Sequence, residues 1–206
     1  VMVGLNRRFS PLEEILQAGL PTNVPRQMVS RVNSGHVPPE SWVYDEAEGG
    51  GMMIGEMCHF LDLMQYLADD RPIRVFAQSL TLSRADVSDV DNVTIVVAFE
   101  RGSTATLCYN TVGDKAAPKE RLEVFSAGTV GILDDFRSVE VFRGGKRQRK
   151  RLWNQDKGQE SQVKKTLEMF KRTGSAPIPF DQLVATMCVV FAARRSLETG
   201  LPVDLS

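Results

Sequence analysis

Gly49-Gly50-Gly51-Met52-Met53-Ile54-Gly55-Glu56-Met57-Cys58-His59-Phe60-Leu61-Asp62-Leu63 joins a glycine hinge directly to a helix bearing both apolar and reactive side chains. At about 100° per residue, Met53, Met57, Phe60, Leu61, Met64 and Leu67 share one face. Gly55, His59, Asp62 and Tyr66 form a narrow stripe nearly opposite. One side packs and the other is free to react. Three glycines before the first turn let the backbone take positive φ and approach a ligand closely, while the first-turn N–H groups face whatever sits there.

His59 has two readings. Glu56 lies one turn before it and Asp62 one turn after, and a carboxylate can fix an imidazole's tautomer and raise its basicity, as a general acid or base needs. The alternative is an ordinary amphipathic helix with a solvated or hydrogen-bonded histidine.

The Gly-Gly-Gly, helix, His-x-x-Asp run at 49 to 62 resembles the glucose-fructose oxidoreductase and inositol dehydrogenase relatives, the Gfo/Idh/MocA oxidoreductases. The opening Val3-Gly4-Leu5-Asn6-Arg7-Arg8-Phe9, the hairpin-rich middle and the close Gly200-Leu201-Pro202-Val203-Asp204 extend the resemblance over nearly the whole chain. It implies a dinucleotide-binding (Rossmann) domain first and a sheet-rich substrate domain second. Residues 1–206 correspond to the second alone, with the Rossmann domain supplied in cis by the full-length protein. It further implies hydride transfer at a hydroxyl-bearing carbon of a sugar, cyclitol or nucleotide sugar. NAD or NADP would be held mainly by the missing domain, which also contributes a lysine. His59 occupies the family's acid/base position. Gly55 is a departure, because many relatives carry aspartate four residues before the histidine; Glu56 either takes over that function or the chemistry has changed. Gly51, Gly55 and Asp62 are the candidate substrate contacts on this helix.

Composition fits a soluble compact domain: 206 residues, 42% hydrophobic and 25% charged, enough to bury one core. With 25 basic against 26 acidic residues the net charge is −1, which gives no general attraction to nucleic acid or to a membrane surface. The expected partner is a small sugar-like molecule. Cys58, Cys108 and Cys188 lie in apolar patterns and are odd in number, which reads as reduced buried thiols in a cytoplasm. No apolar run reaches transmembrane length and no signal peptide opens the chain. The abrupt start at Val1, inside a strand-like run, reads as a domain taken from a longer protein.

Val1 to Leu5 reads as a short buried strand. Ser10-Pro11-Leu12-Glu13-Glu14 then has the cap, proline and acids of a helix start. Arg7 and Arg8, near the domain junction of the resembled family, reach substrate or cofactor, or else form a structural pair. Arg26 to Asn33 alternates as a strand whose end brings Asn33 toward the site. The proline-rich stretch 34–42 follows as a loop, in which Trp42 either stacks on a sugar ring or closes the core.

The central helix ends at Asp69-Asp70-Arg71-Pro72. Beyond it the period becomes two, giving a hairpin over 93–109 and strands at Glu120–Ser126, Val130–Asp134, Ser138–Arg143 and Lys146–Leu152. Short consecutive connections predict an α+β fold: a mostly antiparallel open sheet with helices on one face, the other left for a second copy of the chain. Lys115 and Lys119 gather in the 113–121 loop and suit a phosphate-bearing substrate, although a solvated basic loop is the favoured reading of them. The basic run 146–151 reads as a charge-protected edge strand. Two amphipathic helices close the chain, ending at Gly174 and Gly200.

The glycine triplet is not the dinucleotide fingerprint, since Ile54 stands where its third glycine belongs. His36, Glu56, Cys58, His59 and Asp62 lack the paired spacing of a zinc site, so no metal is expected. Two functions remain open: the substrate domain of a nicotinamide-dependent oxidoreductase, or a catalytically silent sugar-binding or dimerisation module.

Overall fold

Alternate residues of the strands turn to one face and are buried there, and that alternation builds the molecule. The computed structural model describes residues 1–45, 48–81 and 91–205. Its strands are β1 (Gln27–Asn33), β2 (Pro72–Ser79), β3 (Val93–Phe99), β4 (Thr104–Asn110), β5 (Glu120–Ser126), β6 (Thr129–Asp134), β7 (Ser138–Arg143), β8 (Lys146–Arg151) and β9 (Val203–Asp204). They form one sheet in the order β8-β7-β6-β5-β1-β4-β3-β2-β9. Among the described strands only β1 and β4 run parallel, and the other neighbours are antiparallel. Register aligns Met28, Ser30 and Val32 of β1 with Ala105, Leu107 and Tyr109 of β4 and with Val124, Leu122 and Glu120 of β5, all buried.

Helices α1 (Pro11–Gly19), α2 (Cys58–Ala68), α3 (Gln159–Thr173) and α4 (Phe180–Thr199) complete the fold. α1 lies against β6 and β7, α2 against β4, and α4 against β2. The result is the expected α+β architecture, with its helices on one sheet face. Ser10 caps α1 by accepting from the Leu12 N–H at 3.3 Å, and Pro11 begins the helix. Gly131 lets α1 settle onto β6, because a Cβ there would stand 2.3 Å from Leu16 Cδ1.

Several expectations are corrected. Val1–Leu5 is irregular, with Val1 and Val3 exposed, and Arg7–Phe9 forms a 3-10 turn. Strand β2 went unread in the sequence. The central helix opens with a π-helical turn at Met53–Met57 before α2 begins. The supposed reactive stripe divides within α2 itself, between His59 and Asp62: Gly55 and His59 line one groove, while Asp62 turns into the interior to meet Arg8. Gly55 is exposed, while Asp62 is fully buried. All three cysteines are free thiols, but only Cys58 is buried: Cys108 is half-buried and Cys188 exposed. Among the described residues no helix is long and apolar enough to cross a membrane, and no group of three potential metal-ligating side chains occurs.

Candidate functional site

The π-helical turn, the 3-10 turn and the segment entering α3 meet around an open groove of about 440 Å³, lined by Arg7, Trp42, Gly55, Glu56, His59 and Lys157 among others. Trp42 is 66% exposed at its rim, so its indole face is available to a ring.

Glu56 accepts from three donors. Ser34 Oγ donates to Oε2 at 3.2 Å, the Tyr109 hydroxyl donates to the same oxygen, and Lys119 Nζ lies 2.5 Å from Oε1. Burial pushes this carboxyl up, but the Lys119 and Tyr109 hydrogen bonds, with the charges of Lys119 and Arg7, hold it below the usual range. Glu56 is therefore a fixed negative charge at neutral pH.

His59 behaves oppositely. Burial first, then the charges of Arg7 and Lys157, pull its pKa down to about 4 against the pull of Glu56 and Glu120. Its imidazole is neutral at physiological pH, with a buried Nδ1 that has no hydrogen-bond partner among the described residues. Such a ring can take a proton from a hydroxyl brought to it.

Beside it, Glu120 receives Arg7 Nε at 2.9 Å, Arg7 Nη2 at 3.0 Å and Lys157 Nζ at 2.5 Å. Burial raises the Glu120 carboxyl, and these two cations more than reverse the shift. The Arg7 guanidinium carbon also lies 4.2 Å from the centre of the Phe60 ring.

A family profile described as the GFO/IDH/MocA C-terminal domain matches residues 23–133. The chain belongs to that family. It is 23% identical over 219 residues to the uncharacterized oxidoreductase YrbE of Bacillus subtilis (strain 168), spanning all of this chain and 63% of the relative. The fold matches UDP-N-acetylglucosamine 3-dehydrogenase GnnA of Acidithiobacillus ferrooxidans with a TM-score of 0.78 at 16% identity, over 96% of this chain and 61% of the other. It matches a putative myo-inositol dehydrogenase of Sinorhizobium meliloti 1021 with a TM-score of 0.76 at 20% identity, over 100% and 65% respectively.

Of the residues singled out in the sequence, this GFO/IDH/MocA domain gathers His59, Glu56, Gly55, Arg7 and Trp42 around the groove, with Lys119 reaching it through Glu56. The others lie elsewhere. Arg8 and Asp62 pair in the interior, with Nε–Oδ2 at 3.0 Å and Nη2–Oδ1 at 2.6 Å. Gly51 borders a different hollow beside α4. Asn33 clamps the 113–118 loop by donating to the Asp114 carbonyl at 2.7 Å. Lys115 packs its methylenes over Gly35. Sequence reasoning missed Ser34, Tyr109, Glu120 and Lys157. A turn signal was present for Lys157, since Asp156-Lys157-Gly158 precedes an amphipathic helix, but nothing local pairs Glu120 with Arg7 across the chain.

Proposed function

We propose that this chain is the substrate domain of a nicotinamide-dependent oxidoreductase acting at a hydroxyl-bearing carbon of a sugar, cyclitol or nucleotide sugar. The carrying observation is the neutral His59 imidazole in a groove walled by Arg7, Glu56 and Lys157. The dehydrogenase names of two structural neighbours support the substrate class. The chain spans about 63% of the length of the curated relative YrbE, and the whole activity is accordingly assigned, as part of this proposal, to a longer protein.

The donor set fits the proton half of such a reaction. His59 accepts the hydroxyl proton during oxidation and returns it during reduction. Glu56, already holding three donors, carries no proton. Its charge instead opposes the cations that depress His59, and in this way it stands in for the carboxylate missing at Gly55. Trp42 offers a stacking face for a sugar ring. What the NAD or NADP nicotinamide would supply, bound by the remainder of the full-length protein, is a hydride acceptor for the substrate carbon. A second copy of the chain is inferred to cover the open sheet face.

The test is turnover by the full-length protein with each nicotinamide and a panel of sugars, cyclitols and nucleotide sugars, read as formation of reduced cofactor. Binding without any turnover across the panel would instead support the silent module, which Gly55 favours by lacking a side chain.

A further inference from the structure

Among the described residues around the groove, carboxylates are fewer than cations. Glu56 and Lys119 neutralise one another. Glu120 alone serves both Arg7 and Lys157, so one negative charge faces two positive ones, and both cations line the groove. The Lys157 ammonium has three N–H donors, of which Glu120 takes one, and the Arg7 guanidinium has five, of which Glu120 takes two. Half-neutralised cations in a largely desolvated wall are stabilised by an incoming anion.

The backbone at Lys157 is held in place from several sides. Asn6 Nδ2 donates to the Lys157 carbonyl at 2.7 Å, Ser10 Oγ to the Asp156 carbonyl at 2.7 Å, and the Gly158 N–H to Asp156 Oδ1 at 2.9 Å. Gly158 has φ +87°, and a Cβ there would stand 2.5 Å from the Phe9 carbonyl carbon. Both the turn and the close approach therefore require glycine. The chain thus fixes this lysine at the groove wall independently of its ion pair.

We propose that Lys157 and Arg7 form an anion subsite in the groove, so that the sugar bound here carries a carboxylate or phosphate group. This rests on the substrate-domain reading but concerns binding, and its readout needs no turnover. A full-length enzyme that oxidises only neutral sugars would preserve that reading and defeat this one.

Calorimetric titration of the 206-residue chain with D-glucuronate, D-glucose 1-phosphate, D-glucose and inorganic phosphate provides the test. At least one charged sugar should bind about tenfold or more tightly than D-glucose, the scale of one charge-assisted hydrogen bond. Whichever of the two binds more tightly identifies the group. Lys157→Gln should erase the difference and Lys157→Arg should retain it, with melting curves confirming folded proteins. Should Lys157→Gln fail to fold, the wild-type ratio and Lys157→Arg decide. Equal affinity for charged and neutral sugars, a preference that survives in folded Lys157→Gln, inorganic phosphate binding as tightly as the sugars, or no binding by any probe would each overturn the proposal.

Discussion

Half-buried His59 and fully buried Glu13 are both ionisable groups kept neutral, with different consequences. For His59 the consequence is chemical. In the full-length protein His59→Asn should leave the fold and substrate binding largely intact while lowering turnover roughly 10²–10⁴-fold. Glu56→Gln should lower turnover less, because it removes a charge rather than the proton carrier. Unchanged turnover in a folded His59→Asn protein would end the catalytic assignment. For Glu13 the consequence is stability. It is fully buried in α1, both its carboxylate oxygens lack partners among the described residues, and burial followed by the nearby Glu14 raises its pKa to about 8. Between its ordinary value of 4.5 and about 8, the folded chain holds a proton that the unfolded chain releases. Stability from this group is present below the lower value and is lost as pH rises through the upper one, by on the order of a few kcal/mol. Glu13→Gln should therefore raise the melting temperature clearly at pH 8 and little at pH 5. An equal effect at both would show that Glu13 is not protonated in the fold.

At the scale of elements, α2 is tied to the chain's opening turn by Arg8 and Asp62, whose side chains are 4% and 0% exposed. Breaking one side of such a pair leaves a buried charge unmatched, so Arg8→Met should cost roughly 3–5 kcal/mol. Arg8→Met with Asp62→Leu should recover much of the loss. Urea denaturation of both proteins checks this, and a double variant no more stable than the single would refute the pairing as the cause. The same pair shows what was legible in sequence and what was not. Helix α2, its end at Asp69, the β3–β4 hairpin and the edge strand β8 could all be read from period and punctuation, because those signals are local. The partner of Arg8 is 54 residues away and follows from topology. The π-helical turn was invisible because no local rule marks it. There, Gly55 allows Val43 so close that a Cβ would stand 3.1 Å from Val43 Cγ2. Strand β2 was missed because it opens on Pro72 and because Phe76 stands half-buried on the face opposite the buried Val75 and Ala77, which blurs the apolar/polar alternation. Of the site, His59, Glu56 and Arg7 could be found by residue type, whereas Glu120, Tyr109 and Lys157 arrive from strands and a turn that only the sheet order brings together.

For the whole molecule, the helices cover one sheet face and leave the other open. That face carries Val29, Val96 and Phe125, 39%, 38% and 38% exposed. Register sets Phe125 beside Val130, and Val130 beside Phe142, making an apolar row across β5, β6 and β7. Its neighbours are charged: Glu123 pairs across to Ile132, and Ile132 to Glu140, which Arg147 and Arg149 engage. A stripe of exposed apolar side chains flanked by both signs of charge suits a two-fold contact, in which each copy covers the other's row and the charges set the register. The expectation is a dimer at high micromolar concentration by sedimentation velocity. Phe125→Lys places a like charge on both sides of such a contact, so it should shift the chain to monomer while the far-ultraviolet circular dichroism stays unchanged. A wild-type chain that sediments as a monomer at that concentration would remove the sheet face as the contact, and a Phe125→Lys dimer would place the contact elsewhere on the surface.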